Sequence, residues 1–179
     1  MKLPDAQLSH LGLYVRDMGQ MVSFYRDLMG MVMTDTGISS RGSPIAFLSR
    51  SDREHHQLVL VHGREQDYSP VNQISFRIEN LEGLRQFHRR VLDIGAAVER
   101  CLNHGNSWSI YCRDPEGNRL ELYAASPWYV SQPFAHPLDL SQPIEEIMAA
   151  TESLARQDPS FKPMSEWSAE MREKIARLE

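Results

Sequence analysis

Three residues with metal-ligating side chains lie at comparable points of runs that are otherwise apolar. His10 and Gln73 lie in two β-rich runs, and Glu121 lies between Leu120 and Leu122 in a third. A carboxylate in the middle of a core strand is costly to bury without a partner, so Glu121 must face either solvent or something positive. Donor atoms from three strands can converge in one cleft, and a bound metal ion explains all three. The sequence therefore predicts a metal site built from these residues.

Two adjacent histidines precede a second apolar run and could carry protons. Because neighbouring side chains of a strand point to opposite faces, only one of His55 and His56 can enter a cleft. If Leu58 and Leu60 face inward, His56 enters with them; otherwise His55 enters with Gln57. We favour His56, because an apolar lining disfavours the imidazolium and keeps the ring neutral, ready to accept a proton.

A histidine and a tyrosine stand just before a strong turn signal. His104 and Tyr111 precede the turn Asp114-Pro-Glu-Gly-Asn118, which predicts a hairpin. A tyrosine in a strand usually serves packing, so its chemical value depends on its neighbours. The turn itself predicts that the strand carrying Tyr111 pairs with the strand carrying Glu121.

The elements that must position these side chains repeat along the chain. From His10 to Gln73, an interval of 63 residues, the pattern begins again. Each copy has a β-rich run, a capping residue (Asp17 or Asn80), an amphipathic helix ended by a glycine, and three further β segments. A unit of four strands and one helix leaves a sheet face uncovered. We therefore predict an α+β fold in which two βαβββ modules form a curled mixed sheet or partial barrel.

The repeat also sets the predicted domain boundaries. We expect the two modules at about residues 5–65 and 70–130, which together make one domain over residues 1–130. A Pro-rich segment follows, and residues 131–179 are predicted to form a C-terminal helical extension.

The extension contains two predicted surface helices, over residues 144–156 and 164–178. One face of the second helix is an apolar stripe of Trp167, Met171, Ile175 and Leu178. A stripe on so short a segment needs a surface to pack against, either its own core or a second copy of the chain. We expect it to mediate self-association, giving a homodimer.

Composition excludes several classes of function. The chain has 179 residues, is 41% hydrophobic and carries a formal net charge of −5, which disfavours a nucleic-acid partner. No apolar run approaches the roughly 18 residues of a membrane span. The first residues, MKLPDAQLSH, do not resemble a signal peptide, so a cytoplasmic location is expected. Two cysteines do not make a disulfide framework.

Several of these runs resemble the vicinal oxygen chelate superfamily of glyoxalases, bleomycin resistance proteins and extradiol dioxygenases. LSHLGLYVRDM and SFYRDLMGM resemble the opening of one of its modules, and DPEGNRLEL resembles its close. REHHQLVL and HGNSWSIY resemble the type I extradiol ring-cleaving dioxygenases, in particular the small two-module enzymes of the biphenyl-2,3-diol 1,2-dioxygenase III type. The resemblance covers residues 5 to about 130.

This resemblance implies an activity and a role for each candidate residue. The activity is cleavage of a catechol-like aromatic diol with O₂ in aromatic catabolism, on a divalent metal, with Fe(II) expected first. The implied metal ligands are His10 and Glu121, the acid–base residue is His56, and the active-site tyrosine is Tyr111. His104 falls where the family has polar groups that line the ring pocket.

One position departs from the dioxygenase pattern. Gln73 stands where these enzymes have their second metal histidine, and an amide oxygen binds Fe(II) more weakly than imidazole does. Glutamine serves as a ligand in some glyoxalases of the superfamily, so Mn, Zn and Ni are alternatives to iron. The fourth ligand position of a glyoxalase would fall near Gln57 or Leu58, where no carboxylate stands.

Three hypotheses for the function therefore remain open. The leading one is an extradiol-type dioxygenase. The second is a metal-dependent lyase, isomerase or epimerase of the glyoxalase type, which needs no O₂. The third is a drug-binding protein of the same fold without catalysis, because a fold alone does not select a chemistry. Oxygen uptake with catechols, bound metal without oxygen uptake, or ligand binding without metal would distinguish them.

Overall fold

The protein is described by a computed structural model that covers residues 8–69 and 71–177. The first module contains β1 Leu11–Val15, α1 Met18–Met29, β2 Val32–Ile38, β3 Pro44–Ser49 and β4 Leu58–His62. The second contains β5 Ile74–Ile78, α2 Leu81–Asp93, β6 Val98–Asn103, β7 Ser107–Arg113 and β8 Arg119–Ala125. The C-terminal extension contains β9 Trp128–Tyr129, β10 His136–Pro137, α3 Ile144–Ala155, β11 Lys162–Pro163 and α4 Met164–Ala176.

Both modules have the same topology. The first sheet has the strand order β1-β4-β3-β2 and the second contains the equivalent order β5-β8-β7-β6. In each, the first strand pairs in parallel with the last, and the second and third strands pair antiparallel. The predicted α+β fold with two βαβββ modules is confirmed.

The helices begin where local chemistry predicts. The Asp17 side chain accepts a hydrogen bond from the backbone N of Gln20 at 2.9 Å and caps α1, and Asn80 caps α2 in the same way from Gly83. At the end of α1, Gly30 adopts the left-handed conformation at φ 66°, which a glycine adopts without steric cost. These caps fix the start of each helix relative to the strand before it.

One face of β1 is buried in the core of the first module. Leu13 and Val15 are buried and Tyr14, between them, is exposed, so the strand alternates as its sequence predicts. From α1, Tyr25 is fully buried and donates its hydroxyl proton to Asp114 at 3.1 Å. Burial is the largest influence on that carboxyl group and raises its pKa, although this and other hydrogen bonds oppose the shift.

The chain divides into two compact units. The first unit contains the first module and the residues that follow it as far as Gln73. It also contains Arg113–Arg119, the turn between β7 and β8. The second unit contains the rest of the second module and the C-terminal extension.

The extension is anchored to the second module by β-pairing and by one buried hydroxyl. β10 pairs antiparallel with β6 at the edge of the sheet. On α3, the Thr151 hydroxyl accepts hydrogen bonds from Trp108 Nε1 at 2.7 Å and from Asn103 Nδ2 at 2.9 Å, and it donates to the Ile147 carbonyl. All four polar groups are satisfied together, so α3 belongs to the core of this unit.

The two predicted helices of the extension correspond to α3 and α4. α4 has no buried residue, and Trp167 from the predicted stripe stacks on Tyr129 of the same chain with ring centroids 5.5 Å apart. Ile175 is exposed, and Leu178 lies outside the described residues. Self-association through this stripe remains a prediction.

Replacing Thr151 by Val should destabilise the protein by about 2–4 kcal/mol, because the Trp108 and Asn103 donors would lose a buried acceptor. Thermal unfolding followed by circular dichroism should show a Tm lower by about 5–12 °C. Thr151→Ser keeps the hydroxyl and should lose less than half as much. Equal losses in both variants would mean that packing of the methyl group, and not the hydrogen bonds, anchors α3.

No helix among the described residues is long and apolar enough to cross a membrane.

Candidate functional site

Five of the six predicted site residues fall into two groups of contacting side chains, one in each unit; they are His10, His56, His104, Tyr111 and Glu121. The histidine cluster, in the first unit, consists of His10, Asp35, Phe47, His55 and His56. The carboxylate cluster, in the second unit, consists of Ser75, His104, Ser109, Tyr111 and Glu121.

Glu121 lies at the centre of the carboxylate cluster, half-buried on β8. Parallel pairing with β5 places it opposite Ser75, whose hydroxyl donates to Glu121 Oε2 at 2.6 Å. Its other oxygen, Oε1, accepts from Tyr111 at 2.7 Å and from Ser109 at 2.9 Å. Three neutral hydroxyls therefore fix the orientation of the carboxylate, in the way that ligating carboxylates are usually held by outer hydrogen bonds.

Tyr111 remains a phenol over the ordinary pH range. The residue is 6% exposed. Burial, followed by the hydrogen bond to Glu121, raises the pKa of its hydroxyl to about 12. The Arg100 guanidinium lies over the ring, 5.1 Å from its centroid, and opposes the shift. Tyr111 is therefore a hydrogen-bond donor at neutral pH.

His104 extends the cluster behind Tyr111. Its Nε2 atom lies 3.0 Å from the Tyr111 hydroxyl, and its Nδ1 atom lies 2.8 Å from the carbonyl oxygen of Phe134. Because a carbonyl only accepts, Nδ1 carries a proton. His104, Tyr111 and Glu121 thus form a continuous line of hydrogen-bonding side chains.

The C-terminal extension holds His104 in place, which sequence reasoning did not predict. Besides the Phe134 carbonyl, the Gln132 side chain donates to the backbone oxygen of His104 at 2.9 Å. Gly105 follows at φ 71°, and a Cβ atom there would overlap the Val130 side chain. The close approach of these segments depends on contacts between residues about thirty positions apart, which no local pattern indicates.

In the histidine cluster, His10 and His56 are in direct contact. His10 is exposed and lies immediately before β1, not in it, and its ring centroid is 4.4 Å from that of His56. Strand alternation does not separate His55 from His56, contrary to the prediction, because both lie in the bend before β4, which begins at Leu58. In that bend the two imidazoles meet, with their Nδ1 atoms 2.9 Å apart.

The environment of His56 favours its neutral form. Desolvation is the largest influence and lowers the pKa of the ring, and the neighbouring His10 and His55 lower it further, while Glu54 opposes them. A neutral imidazole can accept a proton at neutral pH. The choice of His56 over His55 as the acid–base residue remains a prediction.

The parallel pairing of first and last strand has the same register in both modules, so each position in one module has an equivalent in the other. Leu11 pairs with Leu58 as Ile74 pairs with Leu120, so His10 and Gln73 each lie directly before an equivalent strand. The same registers make Val59 the equivalent of Glu121. The fourth ligand position of a glyoxalase was expected near Gln57 or Leu58, and no carboxylate stands at these positions or at Val59.

The predicted metal ligands offer a chemically suitable donor set. Imidazole, amide oxygen and carboxylate are donors that Fe(II), Mn(II) and Zn(II) accept, and the hydroxyls around Glu121 orient that carboxylate. Within the described part of the chain, no three His, Cys, Asp or Glu side chains are grouped so that they could hold a metal ion. The predicted set has only two such side chains, with Gln73 as the third ligand, and its convergence remains a prediction.

Comparison with known proteins identifies one matching family and several distant relatives. The model of the Glyoxalase/Bleomycin resistance protein/Dioxygenase superfamily matches residues 7–122. A 1,2-dihydroxynaphthalene dioxygenase of Pseudomonas sp. (strain C18) is 24% identical over 136 residues, 73% of this chain and 42% of the relative. The chain thus spans about two fifths of that protein. Biphenyl-2,3-diol 1,2-dioxygenase 3 of Rhodococcus globerulus is 24% identical over 166 residues, 89% of this chain and 79% of the relative.

Among solved structures, the fold is similar to that of the fosfomycin resistance protein FosX from Listeria monocytogenes. A mutant of that protein in complex with Mn(II) and 1S,2S-dihydroxypropylphosphonic acid superposes with a TM-score of 0.58. The two share 19% sequence identity, and the match covers 69% of this chain and 95% of that one. At this identity the likeness supports the fold alone.

Proposed function

The chain belongs to the Glyoxalase/Bleomycin resistance protein/Dioxygenase superfamily, and we propose that it is a metal-dependent, extradiol-type dioxygenase that cleaves a catechol-like aromatic diol. The observation that carries this proposal is the hydrogen-bonded line of His104, Tyr111 and Glu121. The family resemblance implies a ring-pocket residue, an active-site tyrosine and a metal carboxylate at these three positions, and those roles require the residues to lie together. Fold alone would not distinguish the dioxygenases from their relatives.

The two relatives support an aromatic diol as the substrate class. The names of both, 1,2-dihydroxynaphthalene dioxygenase and biphenyl-2,3-diol 1,2-dioxygenase 3, specify adjacent hydroxyls on an aromatic ring. At 24% identity these names indicate a class of substrate and not a particular compound. We therefore propose a vicinal diol and O₂ as the two small-molecule partners.

We propose His10, Gln73 and Glu121 as the residues that would hold the metal. Gln73 lies two positions before Ser75, whose hydroxyl donates to Glu121, and His10 occupies the matching position before β1. When bound, a divalent metal of the Fe(II) type would supply charge neutralisation and proximity for a chelating diol and O₂. Gln73 leaves one fewer imidazole in the set than dioxygenases have, so Mn, Zn and Ni remain candidates beside iron.

The residues of the chain itself would handle protons and orient the diol. His56, held neutral by its surroundings, would accept the proton of a diol hydroxyl at a ring nitrogen. Tyr111 stays protonated, and its hydroxyl proton, now donated to Glu121, would turn to a ligand oxygen, with His104 Nε2 beside it at 3.0 Å.

A lyase or isomerase of the glyoxalase type is the second candidate, and Gln73 favours it. An amide ligand suits harder, redox-inactive metals better than a second imidazole would. The apolar Val59, at the position equivalent to Glu121, speaks against a four-ligand site of that type. A binding protein without catalysis is the third candidate, since it needs neither the metal nor the proton-handling residues.

An anaerobic purification followed by metal analysis and an oxygen-electrode assay tests the proposal. The full chain is reconstituted with Fe(II) and offered catechol, biphenyl-2,3-diol and 1,2-dihydroxynaphthalene. Oxygen uptake with a coloured ring-fission product is the expected result. Bound zinc, nickel or manganese without oxygen uptake would support the second candidate, and ligand binding without metal would support the third.

A further inference from the structure

A row of three side chains crosses neighbouring strands of the second sheet and ends at a cation. The strands β6, β7 and β8 lie side by side and carry Arg100, Tyr111 and Glu121. Arg100 is paired directly with Tyr111 in the antiparallel register, so the two side chains share a face of the sheet. From that face the Tyr111 hydroxyl donates to Glu121. Arg100 therefore lies on the same face as the proposed metal carboxylate, two strands away from it.

Arg100 contacts this row only through the ring of Tyr111. Its guanidinium carbon lies 5.1 Å from the ring centroid, and the residue is exposed. No carboxylate in the described part of the chain forms an ion pair with Arg100. A cation–π contact uses none of the five N–H donors of a guanidinium. The charge of Arg100 and its donors can therefore serve a ligand that lies on this face.

The spacing of the strands determines which part of a ligand would reach Arg100. Adjacent strands lie about 4.8 Å apart, so the backbones of β6 and β8 are separated by roughly 10 Å. An aromatic ring whose two hydroxyls lie beside Glu121 and Tyr111 would occupy part of this distance. A group on the side of that ring opposite the hydroxyls would come nearest to the guanidinium, whereas a group next to the hydroxyls would not.

We propose that Arg100 is a specificity-determining residue that binds a carboxylate group of the substrate, placed on the side of the aromatic ring opposite the two hydroxyls. This inference rests on the proposed function and narrows its substrate class to an acidic diol. The planar fork of a guanidinium matches the two oxygens of a carboxylate and can bind both at once. The diols in the names of the two dioxygenase relatives have no acidic group, so the substrate would differ from them in charge.

The overall charge of the chain makes a local cation necessary for such a substrate. With a formal net charge of −5, the chain as a whole repels an anion at long range. Glu121, in the same row, would repel a carboxylate at short range. Binding an acidic diol in one orientation therefore requires a positive group at the end of the row away from Glu121, where Arg100 lies.

Calorimetric titration of the full chain without oxygen, in the presence of Zn(II), tests the inference apart from turnover, because zinc is redox-inactive. The two ligands are 3,4-dihydroxybenzoate and 3,4-dihydroxybenzamide, which have nearly the same shape and differ in charge. We expect the benzoate to bind about 5- to 20-fold more tightly, as for an exposed charge-assisted pair. A higher salt concentration should reduce this preference, because exposed charges are screened.

Three variants show whether Arg100 is the source of the preference. Arg100→Gln should bind the benzoate and the benzamide equally, and Arg100→Lys, which keeps the charge without the fork, should retain part of the preference. Arg172→Gln removes the same charge from an exposed site on α4 and should retain all of it. If Arg100 served only to cover the Tyr111 ring, Arg100→Gln would change the affinity for both ligands alike, and their ratio would stay the same.

The position of the carboxylate is tested with 2,3-dihydroxybenzoate, in which the acidic group is next to the hydroxyls. Arg100→Gln should leave its affinity unchanged, because the carboxylate would lie on the side of the ring away from the guanidinium. An equal loss of affinity for the 2,3- and 3,4-isomers in Arg100→Gln would contradict the proposed position.

The outcomes separate this inference from the proposed function. Equal affinity for 3,4-dihydroxybenzoate and its amide, no binding of either, or a preference that persists in Arg100→Gln overturns the role of Arg100, even if the chain cleaves uncharged catechols. A preference that Arg100→Gln removes supports the role even if no oxygen is consumed, in which case the proposed dioxygenase activity fails by itself.

Discussion

Replacing Glu121 by Gln should abolish retention of the metal and lower ring cleavage by more than about 100-fold, a loss larger than that caused by removing outer partners of a ligand. Glu121 is the one anionic donor in the proposed set, so its amide analogue removes the charge that balances the metal. Metal content after reconstitution and gel filtration, measured by mass spectrometry, checks the first part, and oxygen uptake checks the second.

The substitution should leave the fold intact. The hydroxyls of Ser75, Ser109 and Tyr111 hold the carboxylate, and a serine hydroxyl can either donate to an amide oxygen or accept from an amide nitrogen. Glu79→Gln, at an exposed site before α2, makes the same change in charge and should keep both metal and activity. Full metal retention in Glu121→Gln, with an unchanged Tm, would show that Glu121 is not a ligand.

Replacing His56 by Ala should lower kcat by about 10²–10⁴, the usual contribution of a general acid–base group. Metal content should survive, because the proposed ligands are other residues. Steady-state kinetics with the best catechol, together with metal analysis, test both parts at once.

His62→Ala is the matched control for this change. His62 lies at the end of β4, is exposed and has no part in the histidine cluster, so its removal should leave the rate unchanged. If His56→Ala lost the metal as well, His56 would be a ligand and the acid–base role would pass to another residue. If His56→Ala and His62→Ala were equally active, His56 would have no part in the reaction.

The architecture was predictable because its signals are local and repeated. Asp17 and Asn80 cap helices within three residues of themselves, and the glycines that end those helices need no distant contact. The βαβββ pattern that begins near His10 begins again near Gln73. The elements predicted in one module can therefore be checked against those predicted in the other. The parallel pairing of first and last strands follows in both modules from the same connectivity.

The histidine cluster was only partly predictable, because the start of β4 was placed too early. An alternating reading of His55 and His56 assumes a strand, whereas the polar run before them continues as a bend to Gln57. In a bend, adjacent side chains can meet, and this contact creates the chain to Asp35. The polar residues from Ser51 to Glu54 were the signal that the strand had not begun.

The hydrogen-bond partners that hold Glu121 and His104 in the carboxylate cluster were not predictable from local sequence. Ser75 lies opposite Glu121 only through a parallel pairing across 46 residues, and Phe134 reaches His104 from the extension across 30. Such contacts depend on how distant segments pack, and no periodicity within either segment indicates them. Glu121 was found because a carboxylate between Leu120 and Leu122 is costly to bury without a partner, whereas the role of Tyr111 came from a resemblance.

Incorporation of ¹⁸O from labelled oxygen gas tests the central claim most directly. The Fe(II)-loaded chain is mixed with its best catechol under ¹⁸O₂, the ring-fission product is trapped by reduction to prevent exchange, and its mass is measured. We expect a product that carries both atoms of one O₂ molecule. If the enzyme formed a product that contained no ¹⁸O, the proposed dioxygenase activity would be contradicted, because the reaction would not consume oxygen.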